Sequence, residues 1–285
     1  MSDIAFLGTG LLGSGLAEAA AKRGERVIVW NRTLEKARPL EQFGVRVAST
    51  PADAVKGTTR VHLVLKDDPV VDEVIAAARP GLEPSTIIVD HTTNQPRSTS
   101  ERARRLNAEG VKYIHCPVFI GPAAARKQQG TVLASGARDL FDAIQPALAR
   151  MAERVEYFGE RPDVAAVYKL CGNALIIGIA GLVADVFAVA GASDIPLTDA
   201  IKVVDYFNLP GVFAVRGRNM ATGNFTPSFE LFMARKDVRL MMETAGDTPL
   251  AVLPALAQRM DDLIDDGHGA EDLAVLGIET AAARR

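Results

Sequence analysis

Lys169 and Asn173 have the residue types and the spacing for proton transfer to a small molecule. They lie four residues apart in a segment of helical composition, so both project from one helical face. Partial burial lowers the pKa of a lysine, and its long stem lets it exchange a proton with a substrate oxygen. The asparagine can hold that oxygen or orient the ammonium. The alternative is a lysine that carries its charge from an apolar helix out to water.

A glycine-rich loop near the start of the chain has the pattern of a phosphate-binding turn. Its members are Gly8, Thr9, Gly10, Leu11, Leu12 and Gly13. Gly8 permits a tight turn, Gly10 lets the backbone approach a pyrophosphate, and Gly13 lets a helix pack closely on a strand. A purely structural turn is the alternative. The position between a strand and a helix, inside a βαβ unit of about 30 residues, favours dinucleotide binding.

The end of the second predicted strand indicates which dinucleotide is bound. NAD-binding proteins usually carry an acidic residue there, whereas this chain has Asn31, Arg32 and Thr33. Arg32 can pair with a 2′-phosphate, and its neighbours can add neutral hydrogen bonds. In the alternative interpretation, Arg32 is a solvated surface residue and Thr33 only caps the next helix. The pattern predicts NADP(H) as the cofactor.

The elements that must position these residues form two regions that differ in their pattern of predicted secondary structure. Short apolar runs alternate with helical or loop segments in the first half, which predicts an N-terminal Rossmann domain with a doubly wound parallel sheet. The predicted strands are residues 4–7, 27–30, 61–65, 86–89, 113–118 and 131–134, with 154–158 as an edge strand. The second half predicts an all-α domain. We therefore expect an α/β chain with domains at 1–161 and 162–285.

The first helix of the second domain is predicted to run from about residue 164 to residue 190. It is apolar on nearly every face, and such a helix needs cover on all sides. We expect it to lie between the domains and against a second subunit, in a homodimer or homotetramer. Asp185 and several glycines interrupt it, which favours a buried helix over a membrane span.

Composition narrows the classes of partner. The formal net charge is -3, which provides no basic field for nucleic acid or anionic lipid. Two cysteines and the lack of a secretory pattern at the N-terminus predict a cytoplasmic location. The four histidines are scattered singly, so we expect no metal.

These motifs, in this order, resemble the β-hydroxyacid dehydrogenase family within the 6-phosphogluconate dehydrogenase superfamily, which includes 3-hydroxyisobutyrate dehydrogenases and glyoxylate or succinic semialdehyde reductases. The resemblance covers essentially the whole chain. Its parts are the glycine loop, Asn31 to Thr33, Leu65 to Asp68, Asp90 to Thr93, Pro117-Val118, Lys169 with Asn173, and Lys236-Asp237.

The resemblance implies roles for several residues. Lys169 matches the general acid or base of the family, and Asn173 matches its partner asparagine. Leu65 and Thr93 are expected to line the nicotinamide half of the cofactor, and Lys236 to reach the cofactor from the second domain. Thr93 as a strand terminus and Lys236 as a surface ion pair remain alternatives.

The chain departs from the family at one substrate-binding segment. Family members carry a serine and a glycine that bind the substrate carboxylate, where this chain has Phe119 and Ile120. The segment assigned to the substrate comprises Pro117, Val118, Phe119, Ile120 and Gly121. The substrate then lacks a carboxylate at the usual place, is larger and more apolar, or is held by a cation such as Arg126 or Lys127.

The sequence thus predicts an NADP(H)-dependent oxidoreductase that transfers a hydride between the nicotinamide and a small aldehyde, ketone or hydroxy acid. An imine reductase is the rival enzyme. A catalytically silent NADPH-binding scaffold is the rival of another class, against which the pairing of Lys169 with Asn173 argues.

Overall fold

The computed structural model describes residues 3–282, and its first unit contains the predicted parallel sheet. Six strands lie in the order β3-β2-β1-β4-β5-β6, and all neighbouring pairs are parallel. They are β1 (Asp3–Leu7), β2 (Arg26–Trp30), β3 (Arg46–Val47), β4 (Thr58–Leu63), β5 (Ile87–Asp90) and β6 (Lys112–His115). This order, with helices on both faces, confirms the predicted Rossmann fold.

A second, smaller sheet follows the first. It contains β7 (Val118–Phe119), β8 (Thr131–Ala134) and β9 (Arg154–Tyr157), with β7 antiparallel and β9 parallel to β8. The run at 113–118, predicted as one strand, is divided at Cys116 and Pro117, where the chain leaves the large sheet. The predicted strands at 131–134 and 154–158 therefore belong to a separate sheet.

Helices cover both faces of the large sheet. Along β1, Ile4 and Phe6 belong to one hydrophobic cluster, whereas Ala5 and Leu7 belong to the other, as the two-residue repeat of a strand requires. The α-helices of this unit before residue 160 are α1 (Leu11–Lys22), α2 (Pro51–Val55), α3 (Asp68–Ala78), α4 (Pro96–Ala108), α5 (Pro122–Ala125) and α6 (Arg138–Leu148). Short 3₁₀ turns occupy Leu34–Lys36, Arg38–Phe43 and Arg79–Gly81.

The described residues of the second unit form helices joined by loops, with one isolated β-bridge between Glu230 and Asp272. Its helices are the end of α7 (Val164–Gly191), then α8 (Leu197–Ala200), α9 (Leu209–Thr222), α10 (Leu231–Ala245), α11 (Leu253–Leu263) and α12 (Ile278–Ala282). Turns at Ile201–Tyr206 and Leu273–Gly277 are 3₁₀, and Ile264–His268 forms a π-turn. The buried carboxylate of Asp185 on α7 accepts hydrogen bonds from the amides of residues 251–253, at 2.6 to 3.0 Å.

The two compact units divide at Asn173 and Ala174, whereas the sequence predicted the division before residue 162. The first turns of α7 belong to the first unit because they are anchored there. The amide of Ala165 donates to Ser135 Oγ at 3.0 Å, and the ring of Phe158 stacks on Tyr168 with 4.2 Å between centroids. The long predicted helix therefore starts in one unit and ends in the other.

Three histidines are buried inside the large sheet and its loops. Arg60 Nε donates to His62 Nε2 at 3.2 Å, and Nδ1 of His62 lies 2.9 Å from Nε2 of His91. His91 Nδ1 in turn lies 2.6 Å from the carbonyl oxygen of Cys116. Because Nε2 of His62 accepts from Arg60, His62 must carry its proton on Nδ1 and donate it to Nε2 of His91. His91 must then carry its proton on Nδ1, so both imidazoles are neutral. His115 is also buried, and its Nε2 lies 3.0 Å from the carbonyl oxygen of Thr92.

Acid should therefore destabilise this unit progressively as the pH falls below 6.5. Burial lowers the pKa of His62 and His115, and it lowers the pKa of His91 from 6.5 to about 4. Below pH 6.5 the unfolded chain binds more protons than the folded one, so stability is complete above pH 6.5 and declines as the pH falls. His91 alone accounts for a loss of about 3 kcal/mol once the pH is below 4.

Urea unfolding followed by fluorescence of Trp30, the single tryptophan, checks this expectation between pH 7.5 and 4.5. His91→Gln should flatten the pH dependence relative to the original chain. A free energy of unfolding that stays constant from pH 6.5 to 4.5 in the original chain would contradict it.

Candidate functional site

The glycine loop between β1 and α1 has the geometry of a phosphate cradle. Gly8 has a φ of 102°, and a side chain there would collide with the carbonyl of Val64. A side chain at Gly13 would collide with the carbonyl of Gly8, so strand, turn and helix approach as closely as backbone allows. Gly10 differs, because a Cβ atom there would meet nothing within 4 Å. The open side of the loop is therefore at Gly10.

The N-terminus of α1 fits a phosphate group. It has no side-chain cap and no acidic residue in its first turn, and Leu11 is exposed. Backbone amides and a partial positive charge at such a terminus bind anions. Together with the space at Gly10, these features show that the loop can hold the pyrophosphate of a dinucleotide.

Asn31 connects the glycine loop to the end of β2. Its Oδ1 accepts a hydrogen bond from the amide of Thr9 at 3.0 Å, and its Nδ2 donates to the carbonyl of Thr33 at 2.9 Å. The hydroxyl of Ser14 donates to the carbonyl of Thr9 at 2.8 Å. Asn31, which we expected to contact the cofactor, thus holds two segments of the site in register.

A cavity of about 310 Å³ lies beside this loop, and cations line its rim. Arg32 is exposed and, within residues 3–282, makes no hydrogen bond or ion pair. Lys36, which sequence reasoning missed, lies one helical turn after Thr33 and lines the same cavity. The lining residues are Gly8, Gly10, Trp30, Asn31, Arg32, Thr33, Lys36, Val64, Leu65, Lys66, Val70, Glu73 and Val74.

The carboxylate of Asp90 is fully buried at the end of β5 and organises the loops at the carboxyl edge of the sheet. It accepts hydrogen bonds from Tyr113 Oη at 2.7 Å, from Asn94 Nδ2 at 2.8 Å and from the amide of Thr92 at 2.9 Å. Arg102 lies 4.0 Å away and is itself almost fully buried. Burial, with Asp90 beside it, raises the pKa of Tyr113 well above its usual value, so the phenol remains a donor.

This cluster fixes the two residues expected to line the nicotinamide half of a cofactor. The amide of Leu65 donates to the hydroxyl of Thr92 at 3.1 Å, which ties the loop after β4 to the loop after β5. Leu65 also lines the cavity beside the glycine loop. Thr93 follows directly and is exposed at the same edge. The loops after β1, β2, β4 and β5 are thereby brought to one edge of the sheet.

Lys169 and Asn173 lie on one face of α7, as their spacing predicted. Lys169 Nζ donates to Asn173 Oδ1 at 2.9 Å. The same Nζ lies 4.3 Å from the centroid of the Phe119 ring, which places the ammonium over an aromatic face. Burial lowers the pKa of Lys169 from its usual value of 10.5. A lysine buried to this extent releases a proton more readily than one in water.

The segment assigned to the substrate is mostly part of the core. Val118 and Ile120 are 4% and 8% exposed, and Pro117 is also buried, so their side chains pack inside the first unit. Phe119 is half-buried and Gly121 is exposed. Of the five residues, Phe119 is therefore the one whose side chain lies beside the Lys169 ammonium.

Other residues singled out in the sequence lie elsewhere. Arg126 is engaged with Glu18 at 2.7 Å, whereas Lys127 is exposed. Lys236 lies on α10 of the second unit and pairs with Asp237 at 2.9 Å. Among residues 3–282, no group of three or more histidine, cysteine, aspartate or glutamate side chains is placed to hold a metal ion.

Comparison with known proteins identifies the first unit. Residues 3–159 match the family model for the NAD binding domain of 6-phosphogluconate dehydrogenase. An uncharacterized oxidoreductase of Shewanella frigidimarina is 26% identical over 253 residues, which cover 86% of each chain. The human cytokine-like nuclear factor N-PAC is 27% identical over 257 residues, 87% of this chain. The chain spans about half the length of the N-PAC relatives, 46% of the human protein.

Among solved structures, an imine reductase from Myxococcus stipitatus in complex with NADP+ has the same fold. Its TM-score is 0.87 at 21% identity, and the match covers 96% of this chain and 98% of the other. The V8 variant of that enzyme is in complex with NAD+. These matches extend the fold assignment over both units, since they cover nearly the whole chain.

Reversing the charge of Arg32 should discriminate between the two nicotinamide dinucleotides. In Arg32→Glu, a carboxylate replaces the unpaired guanidinium and would repel a 2′-phosphate, so we expect the Kd for NADPH to rise by about tenfold to a hundredfold. The Kd for NADH should change by less than about threefold, because NADH has no such phosphate. Fluorescence titration measures both values, with Lys56→Glu, an exposed charge reversal, as the matched control. Equal increases in the Kd values for NADPH and NADH would contradict a role for Arg32 in binding the 2′-phosphate.

Proposed function

The chain belongs to the family defined by the NAD-binding domain of 6-phosphogluconate dehydrogenase, and from that premise we propose that it is an NADP(H)-dependent oxidoreductase acting on a small aldehyde or ketone, or on the corresponding alcohol or hydroxy acid. The observation that carries the reaction class is the Lys169 ammonium held 2.9 Å from Asn173 Oδ1. The bound nicotinamide supplies or accepts the hydride.

Lys169 acts as the general acid in the reductive direction and as the general base in the oxidative one. Its lowered pKa favours release of the Nζ proton to a substrate oxygen as negative charge develops there. Asn173 Oδ1 accepts a hydrogen bond from one N–H of the ammonium and thereby orients the other two N–H groups. A free lysine side chain has many rotamers, so this contact reduces the number of conformations in which the ammonium cannot reach the substrate oxygen.

The preference for NADP(H) rests on charge at the end of β2. Arg32 and Lys36 are two exposed cations without partners in the described part of the chain, and both line the cavity beside the glycine loop. Asn31 occupies the position where an acidic residue would repel a 2′-phosphate. Planar pairing by arginine, with a lysine beside it, suits a phosphate dianion.

An imine reductase is the second candidate. Its support is the likeness of fold to the Myxococcus stipitatus enzyme and the aromatic ring of Phe119 beside Lys169, which suits an apolar substrate. The first candidate is preferred because Lys169 and Asn173 match the general acid or base and the partner asparagine of the β-hydroxyacid dehydrogenases that the sequence resembles. A silent NADPH-binding scaffold would need no such pair.

Removing Lys169 should abolish carbonyl reduction while leaving cofactor binding intact. In Lys169→Ala we expect kcat to fall by about 10²- to 10⁴-fold, the range typical of a lost general acid. The measurement is NADPH and NADH oxidation over aldehydes, semialdehydes, keto acids and cyclic imines, with the exposed Lys56→Ala as matched control. Turnover of imines alone would move the assignment to the second candidate. NADPH binding without any turnover would move it to the scaffold.

We further propose that the protein is a cytoplasmic homo-oligomer, a dimer or a tetramer, that binds neither nucleic acid nor membrane. Helix α7 is long and apolar enough to cross a membrane, with a mean hydropathy of 2.3, and only 11% of its most apolar window is buried within one chain. The carboxylate of Asp185 on the same helix accepts hydrogen bonds from three backbone amides of the second unit, which favours a helix packed in protein over a membrane span. A second copy of the chain is the partner that we propose for its exposed side chains.

Light scattering after size exclusion, in buffer without detergent, tests this oligomer. We expect two or four times the chain mass at micromolar concentration. Ile177→Glu should lower that mass or the solubility, because Ile177 is 70% exposed in one chain and a buried charge opposes association. The matched control is Leu11→Glu, which introduces the same charge at a side chain outside α7 that is 81% exposed. A monomeric mass for the original chain would refute the proposal.

A further inference from the structure

Phe119 occupies a space that Gly172 leaves open on α7. An added Cβ atom at Gly172 would collide with Cζ of the Phe119 ring and would approach its Cε1 to 2.7 Å. The ring is carried by the short strand β7, whose pairing to β8 places Phe119 opposite Thr131. Strand and helix are thus joined at a contact that an aromatic ring fills and that a residue larger than glycine would close.

The same ring covers one side of the Lys169 ammonium. With Nζ at 4.3 Å from the ring centroid and one N–H donated to Asn173, two directions around the nitrogen are occupied. The directions that remain are available to a substrate oxygen. Any group next to the reacting carbon of that substrate must then lie near an apolar ring.

A carboxylate beside the Phe119 ring would find no side-chain donor at positions 118 to 120. Val118 and Ile120 have apolar side chains that are buried in the core. Arg126, which follows this segment, is already paired with Glu18 at 2.7 Å, and Arg161, which precedes Lys169, is paired with Asp163 at 2.9 Å. An anion that loses water without gaining hydrogen bonds is strongly disfavoured, whereas an apolar group gains by leaving water.

We infer that Phe119 is a specificity-determining residue of this site and that it selects neutral carbonyl compounds with an apolar chain, against those whose chain carries a carboxylate. The inference rests on the proposed function in one respect, that Lys169 meets the substrate oxygen. It goes further by assigning the substrate class to the contact between Phe119, Gly172 and Lys169.

Two matched pairs of compounds test the inference. Butanal and succinic semialdehyde have the same number of carbons and differ by a terminal carboxylate, and kcat/KM for each is measured with NADPH. Butyramide and succinamate share the amide and differ by the same terminal carboxylate, and their Kd values for the NADPH-loaded protein are measured by calorimetry. We expect the neutral member of each pair to be preferred by about tenfold or more.

Three variants separate the ring from its position. Phe119→Ser should reduce the preference for the neutral compounds by about tenfold or more, because it removes the ring and adds a hydroxyl donor. Phe119→Leu is the matched control and should keep that preference, since it remains apolar. Gly172→Ala should reduce butanal turnover in the original chain but have little effect in Phe119→Ser, because the clash exists only with the ring.

The outcomes distinguish this inference from the proposed function. If carbonyl compounds are turned over but charged and neutral members are used equally, with no change in Phe119→Ser, the inference is overturned and the proposed function stands. If nothing is turned over, the proposed function fails, and the calorimetric pair decides alone. Equal binding of butyramide and succinamate would then overturn the selectivity of Phe119, whereas tighter binding of butyramide that is lost in Phe119→Ser would support it.

Discussion

The carboxylate of Asp90 imposes a constraint on which the carboxyl edge of the sheet depends. A charge with no exposure to solvent must be met by donors, and a missing donor at such a site costs several kcal/mol, about 3 to 5 for a broken buried pair. The donors come from β6, from the loop after β5 and from the amide two residues on. Thr92, held in this way, then receives the amide of Leu65. One buried charge therefore fixes the loops that border the cofactor cavity.

The sequence was sufficient for the first βαβ unit and for the long helix. Regular periodicity and a glycine loop between strand and helix identify β1, α1 and β2, and the predicted helix from 164 to 190 is observed as Val164–Gly191. Strand β3 was missed because Arg46–Val47 has only two residues, too few to show alternation. The division of the strands into two sheets also escaped prediction, since pairing depends on contacts between residues distant in sequence.

For the candidate site, too, the sequence predicted local features but not contacts between residues distant in sequence. The spacing of Lys169 and Asn173 placed them on one helical face, a local property that the structure bears out geometrically. Lys36 was missed because a lone lysine in a loop has no pattern, although its position one turn after Thr33 was available as a signal. Phe119 was noticed as the loss of a hydroxyl from a loop. Its contact with Lys169 joins residues that are 50 positions apart, and a periodic pattern in the sequence cannot reveal such a contact.

The contact at Gly172 also sets an order in which the site can change. With the ring of Phe119 in place, any residue other than glycine at position 172 meets an occupied volume, so this substitution is costly when it comes first. After Phe119 has been replaced by a smaller residue, position 172 becomes free to vary. The mutational path to another substrate class therefore has a direction, and its first step is at position 119. Descendants of this chain that differ at 172 should carry a small residue at 119.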